Sequence, residues 1–273
     1  MTTAEIIAIG NELLIGHTLD TNTNWLCRQI AGLGGQVRRA VMVRDDLDAI
    51  ARELHDALDR ETDVIVTTGG TGPTADDRTL EAIAGALGRP LAEDDEALRM
   101  VEQRYSEFYE RGLVDQPGLT DARRKMGRLP QGAQPIFNPV GGAPAVRLEV
   151  GDTTIITLPG VPQELKGIWQ GPLQPSLTEL FGQGAYLERA VATDCPDDSV
   201  LAPLLAEVVQ RHPDVYIKSH VKAFGAAKQQ IRVTFSMAGD THAKVETAVE
   251  EAIADFTRTL KEAATYSARR DEQ

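Results

Sequence analysis

Val64-Ile65-Val66-Thr67-Thr68-Gly69-Gly70-Thr71-Gly72-Pro73-Thr74-Ala75-Asp76-Asp77-Arg78-Thr79 is the stretch on which the reading of this chain turns. Its first five residues are an uninterrupted apolar and β-branched run, the pattern of a strand buried on both faces. Three glycines follow at the strand's carboxyl end, where backbone without side chains can approach a ligand closely. Leu80, Ile83, Ala84 and Leu87 then recur at helical spacing, and a helix start offers free N–H groups to an anion. In open α/β sheets, crevices at such strand exits hold ligands. No Lys-Ser/Thr follows the glycines, so the loop is not a P-loop. A plainer reading is a tight turn with Thr74 as N-cap and Asp77 at the third helical position. On the glycines alone the two readings stand level.

The same alternation extends on both sides. Residues 4–9, 37–43 and 64–68 read as strands, and residues 21–33 and 47–58 as amphipathic helices between them. Strand–helix alternation of this kind implies parallel strands joined by helical crossovers. Residues 94–111 read as a surface helix and 120–126 as a short one. Strands then follow at 135–137, 145–150 and 153–158, the last two joined by a Gly151-Asp152 turn, and a helix begins at 164–169. After residue 182 the order strand, helix, strand, strand, helix (187–193, 199–211, 215–218, 230–236, 242–260) suits a small α+β sandwich. Residues 267–273 read as a polar, frayed tail.

Composition narrows the function classes. The 273 residues carry 28 Lys and Arg against 41 Asp and Glu, a net charge of −13. That balance argues against nucleic-acid and membrane-surface binding, which need a basic footprint. A phosphorylated ligand stays open, because a metal ion can join it to an acidic site. Cys27 and Cys195 are far apart, and the five histidines form no HxxxH or HExxH pattern, which excludes a disulfide framework and a zinc site. No leader and no 18-residue apolar run is present, and a cytoplasmic location is expected.

Asp76 and Asp77 sharpen the choice at the glycine loop. They suit a helix N-terminus, yet they would repel a phosphate bound there. A divalent cation (Mg²⁺, Mn²⁺ or Co²⁺) shared between carboxylates and phosphate oxygens removes the conflict. A second candidate is Gly10-Asn11-Glu12-Leu13-Leu14-Ile15-Gly16, running on through Asp20 and Asn22. Here Glu12 could orient a ribose, a metal or a water, and Asp20 or Thr21 could simply cap the next helix. Asn138-Pro139-Val140-Gly141-Gly142-Ala143-Pro144 and Leu158-Pro159-Gly160-Val161-Pro162-Gln163-Glu164 form two more Gly/Pro loops beside strands, where rigid turn chemistry is the commoner meaning. Lys218, His220, Lys222, Lys228 and Arg232 make a local basic stretch that reads as a solvated hairpin.

These four loops, in this order, resemble the CinA-like (competence/damage-inducible protein A) family, which contains the MoaB/MogA-like molybdopterin-binding fold. The match covers about residues 3–175. The resemblance implies a three-layer α/β/α domain with a mostly parallel sheet over residues 1–182. For residues 183–266 it implies a small KH-like βαββα domain. It further implies a metal-dependent hydrolase that splits the diphosphate of ADP-ribose, giving AMP and ribose 5-phosphate. In that account Asp77, Asp76 and Glu12 are catalytic, and Asp76 and Asp77 hold the metal. Asn11, Thr68, Gly69, Gly70, Thr71, Gly72, Thr74, Asn138, Gly141, Gly142, Gly160 and Pro162 bind the nucleotide substrate. The alternative is molybdopterin binding or adenylylation in molybdenum-cofactor metabolism, and a further one is a non-catalytic nucleotide-binding regulator. Two residues depart from the family pattern. Thr71 stands where many CinA-like chains carry Leu, which also likens this loop to molybdenum-cofactor enzymes, and Ala145 replaces a usual Gly. The chain ends before the deamidase domain of longer family members, so nicotinamide-mononucleotide deamidation is not carried over. A homo-oligomer is left open. Gly70→Val is expected to abolish binding with little loss of folding.

Overall fold

A computed structural model describes residues 1–182, 184–195, 197–220, 231–239 and 241–271, with side chains as far as residue 263. The chain divides into two compact units, residues 1–30 with 35–182, and residues 31–34 with 183–273.

The first unit is built on a six-stranded sheet. In chain order its elements are β1 (Thr3–Ile9), α1 (Asn11–Leu14), α2 (Thr21–Gly32), β2 (Gln36–Val43), α3 (Leu47–Asp59), β3 (Val64–Thr68) and α4 (Thr79–Ala86). There follow β4 (Leu91–Glu93), α5 (Asp95–Glu110), α6 (Asp121–Lys125), β5 (Arg128–Pro130), β6 (Gln134–Ile136), β7 (Ala145–Val150), β8 (Thr153–Leu158), α7 (Pro162–Gln170) and α8 (Gln174–Phe181). The sheet order is β2-β1-β3-β8-β7-β6. β2, β1, β3 and β8 run parallel, while β7 and β6 are antiparallel additions at one edge.

The central strands are apolar on both faces because helices cover both. Ile7, Ile9, Ile65 and Ile155 pack with Ile50, Leu54 and Ala57 of α3 and Ala82 and Ile83 of α4 in one core. Since side chains alternate along a strand, Ile6, Val64, Val66, Ile156 and Leu158 face the other way, and all are buried. On that side Trp25 of α2 meets Trp169 of α7 edge to face, with centroids 6.1 Å apart. The layers are thus helix, sheet, helix, as expected. Caps fix the helix starts. Asp46 accepts from the Ala49 N–H and Asp94 from those of Glu96 and Ala97, each cap worth about 1 kcal/mol. Asp20 accepts from the Thr23 N–H at 2.9 Å, so its role at α2 is the capping one.

The second unit contains β9 (Ala185–Thr193), α9 (Asp198–Arg211), β10 (Tyr216–His220), β11 (Ile231–Gly239) and α10 (His242–Asp271). Its antiparallel sheet has the order β10-β11-β9, and Phe235 packs on Phe256 with centroids 5.5 Å apart. The element order is the expected one. The expectation of a tail at 267–273 is corrected, since α10 runs on to Asp271. Lys218 and His220 lie on β10 and Arg232 on β11, while Lys222 and Lys228 fall outside the described residues.

Candidate functional site

The parallel strands β1, β3 and β8 deliver three loops to one sheet edge. There they enclose a crevice of about 510 Å³. Of the residues expected to form a site, Glu12, Gly69, Gly70, Thr71, Gly72, Asp76, Asp77, Gly142, Gly160 and Pro162 line it. Asn11, Thr68, Thr74, Asn138 and Gly141 are not in the lining, and each makes structural contacts near it.

The glycine loop is held from three sides. The Gly69 N–H donates to the Leu158 carbonyl at 3.0 Å. Gly69 has φ 103° and Gly70 φ 63°, conformations that favour glycine. A Cβ on Gly69 would lie 2.1 Å from the Ile9 carbonyl oxygen, and one on Gly70 would lie 2.3 Å from Thr79 Oγ1. Gly70→Val would therefore damage the loop itself, which corrects the expectation that folding is spared. Among the described residues the N–H groups of Gly70, Thr71 and Gly72 find no hydrogen-bond acceptor.

The expected capping box at Thr74 and Asp77 is also corrected. The helix α4 starts only at Thr79, so residues 73–78 form an excursion between loop and helix. Within it, the Thr74 N–H donates to Asp77 Oδ2 at 2.9 Å, and the Thr74 hydroxyl lies 2.5 Å from Asp76 Oδ1 and from Asp77 Oδ2. Lys125 Nζ donates to the Thr74 carbonyl. The Thr74 hydroxyl, the backbone at Asp76 and the charge of Lys125 together hold the Asp76 carboxyl below its usual range. Thr74 thus organises the two aspartates.

The acidic wall is larger than the sequence suggested. Asp45, just past the end of β2, lines the crevice with Glu12. Its Oδ2 accepts from the Asn11 N–H at 2.8 Å, so the Asn11 backbone holds Asp45 in place behind the wall. Burial pushes the Asp45 carboxyl above its usual range, and Glu12, Asp76 and Asp77 push in the same direction against the Asn11 hydrogen bond. Asp45 therefore feels three other carboxylates at this mouth.

The third wall is the Asn138 loop and the start of α7. Asn138 is buried. Its Nδ2 donates to the Ala143 carbonyl at 2.8 Å and to Glu164 Oε2 at 2.7 Å, and its Oδ1 accepts from the Val140 and Gly141 N–H groups at 3.0 and 2.8 Å. Any side chain on Gly141 would run into Glu164, 2.0 Å from the Cβ position. Burial raises the Glu164 carboxyl above its usual range, against the pull of Asn138 and Arg104. Glu164, Tyr105 and Met126 also line the crevice. Tyr105 and Met126 carried no sequence signal, whereas Glu164 closed one of the quoted motifs. Thr68 is buried, donating to the Pro159 carbonyl at 3.2 Å.

Asp76 and Asp77 offer the hard oxygen ligands that Mg²⁺ or Mn²⁺ prefers. No group of three or more His, Cys, Asp and Glu residues is placed to hold one ion among the described residues. No helix among the described residues is long and apolar enough to cross a membrane.

Comparison with known proteins places these loops in context. The model of the family described as a probable molybdopterin binding domain matches residues 5–179. A protein of Aeropyrum pernix is 42% identical over 258 residues, which span 94% of this chain and 91% of the relative. Protein PYRAB15930 of Pyrococcus abyssi is 39% identical over 222 residues, 81% of this chain and 86% of the relative. Among solved structures, the protein CinA with unknown function from Thermoplasma acidophilum aligns with a TM-score of 0.58 and 37% identity. That alignment covers 64% of this chain and 99% of the other. The CinA-like resemblance is met. The expectation of an ADP-ribose pyrophosphatase is corrected: the family that matches is one of pterin binding, not of diphosphate hydrolysis.

Proposed function

The chain belongs to the family of the probable molybdopterin binding domain, and on that premise we propose that its crevice binds molybdopterin or a closely related phosphorylated pterin in molybdenum-cofactor metabolism. The observation that carries this reading is the row of unengaged N–H groups at Gly70, Thr71 and Gly72 beside the crevice. Such a row is an anion-binding concavity. Its geometry is preset by Gly69, Gly70 and Thr79, so little ordering is lost on binding. The phosphate sits on these donors, and the ring lies toward Gly160, Pro162 and Tyr105.

A divalent cation is part of the proposal. Asp76 and Asp77 would hold it, and phosphate oxygens and water would complete its shell, as Mg²⁺ commonly arranges. The ion would neutralise charge where four carboxylates otherwise face a phosphate. The paired aspartates also favour a second reading, adenylyl transfer from ATP to the bound pterin phosphate, in which a phosphate oxygen bonds the α-phosphorus and pyrophosphate leaves, since nucleotide phosphates require such an ion.

Calorimetric titration of the whole chain with a phosphorylated pterin and with its dephosphorylated form tests the first reading. Saturable binding that weakens at least 10-fold without the phosphate supports it. Equal affinity for the two forms removes the role given to the glycine loop. Adenylylated pterin formed on adding ATP and Mg²⁺ would establish the second reading.

A further inference from the structure

Asn22, on the first turn of α2, has an oxygen with nothing to do. Its Nδ2 donates to the Gly160 carbonyl at 2.7 Å and to Thr68 Oγ1 at 3.1 Å. A carbonyl can only accept, so the amide cannot be turned the other way round. That leaves Oδ1 buried and without a hydrogen-bond partner among the described residues, while Asn22 as a whole is 8% exposed. A buried acceptor in this condition is costly and calls for an explanation.

Asn22 lines a small cavity of about 90 Å³ that adjoins the crevice through Ile9, Glu12, Gly160 and Pro162. The polar side chains in its wall are Glu12, Thr18, Asp20, Thr21, Asn22 and Thr68. No Lys, Arg or His is among them. The Thr68 hydroxyl already donates to the Pro159 carbonyl, and one Asp20 oxygen is taken by the Thr23 N–H. What remains is Asn22 Oδ1, the Glu12 carboxylate and the second Asp20 oxygen, all acceptors, with the Thr18 and Thr21 hydroxyls able to donate or accept. A buried carbonyl oxygen beside two carboxylates favours a ligand edge made of donors, and the hydroxyls can turn to accept as well.

We infer that this cavity reads the amino-pyrimidine edge of the bound pterin, with Asn22 Oδ1 and the Glu12 carboxylate accepting from its 2-amino and ring N–H groups. The inference rests on the pterin reading of the crevice and adds how the ring is told from its oxo analogues. The phosphate occupies the glycine loop, and the donor edge enters beneath α2. Glu12 is thereby a specificity residue, not a metal ligand.

The test compares 6-(hydroxymethyl)pterin phosphate with 6-(hydroxymethyl)lumazine phosphate, in which a carbonyl oxygen replaces the 2-amino group. The whole chain should bind the lumazine at least 100-fold more weakly, because acceptor would face acceptor. In Asn22→Ala, folded by its melting curve, that preference should fall below 10-fold. If Asn22→Ala does not fold, Glu12→Gln is read for the same collapse. Equal binding of both compounds by the unaltered chain means a water-filled cavity only, and overturns the inference while leaving the pterin reading intact. An undiminished preference in the folded variant also overturns it. Binding of neither compound overturns the inference together with the reading beneath it.

Discussion

The Thr79 hydroxyl donates to the Gly69 carbonyl at 2.8 Å, and the Thr79 N–H donates to the Gly70 carbonyl at 3.0 Å. One residue at the start of α4 thus clamps two consecutive carbonyls of the glycine loop. The excursion at 73–78 can leave and return without disturbing them. Both Thr79 and Gly69 are buried, so water does not compete for these bonds.

Thr79→Val keeps the branched shape and removes the hydroxyl. The Gly69 carbonyl then loses a buried partner, which costs about 1–3 kcal/mol. Chemical denaturation should register that loss, and calorimetry should show pterin phosphate binding at least 10-fold weaker. Thr79→Ser should restore both. A valine variant as stable as the serine one would mean that the clamp contributes nothing.

Asp76→Asn and Asp77→Asn should produce opposite changes with and without metal. Without a divalent ion, each substitution removes a repulsive charge near the phosphate, and binding strengthens. With Mg²⁺ or Mn²⁺, each removes a hard ligand, and binding falls below that of the unaltered chain. Asp77 should show the larger effect, since its Oδ2 is the one engaged by both the N–H and the hydroxyl of Thr74. Titrations at zero and saturating metal measure the crossover. Parallel curves for all three proteins would exclude a metal at these aspartates.

Glu164 gives a pH signature. Its carboxyl titrates above the usual glutamate range because it is buried. The folded chain therefore holds a proton there that the unfolded chain has lost, and stability falls as pH rises through the interval between the two values. Glu164→Gln removes that dependence. Its melting temperature should exceed that of the unaltered chain above this interval, and the difference should shrink on acidification. A constant difference at every pH would place the effect elsewhere.

The strands carrying the site were legible because they are short, apolar and spaced by amphipathic helices. Val64–Thr68, Ala145–Val150 and Thr153–Leu158 have the expected limits. Glu12 and Asp77 meet because parallel strands send their exits to one edge. The excursion at 73–78 was not legible, because Thr74-Ala75-Asp76-Asp77 has the composition of a helix's first turn; only the clamp at Thr79 defers the start. β4 and β5 pair over three residues each, too few for a periodic signal. Asp45 sits beside Asp46, which caps α3, and its place at the exit of β2 was the clue that strand logic offered. Tyr105 reads as one more apolar position of a surface helix. Its lean into the crevice is set by packing, with the Arg123 guanidinium 4.0 Å from its ring centre. At the carboxyl end, polar composition suggested a frayed tail where helix-forming residues extend α10.

The central claim is that a pterin phosphate lies on the N–H groups of Gly70, Thr71 and Gly72. Amide-resolved NMR of the isotope-labelled chain, titrated with phosphorylated pterin and then with its dephosphorylated form, addresses those three groups individually. The account predicts that their proton resonances move downfield with the phosphorylated compound, saturating together, and move far less with the other. Saturable shifts that leave Gly70, Thr71 and Gly72 unmoved, with the phosphate-dependent changes at other residues, would contradict it.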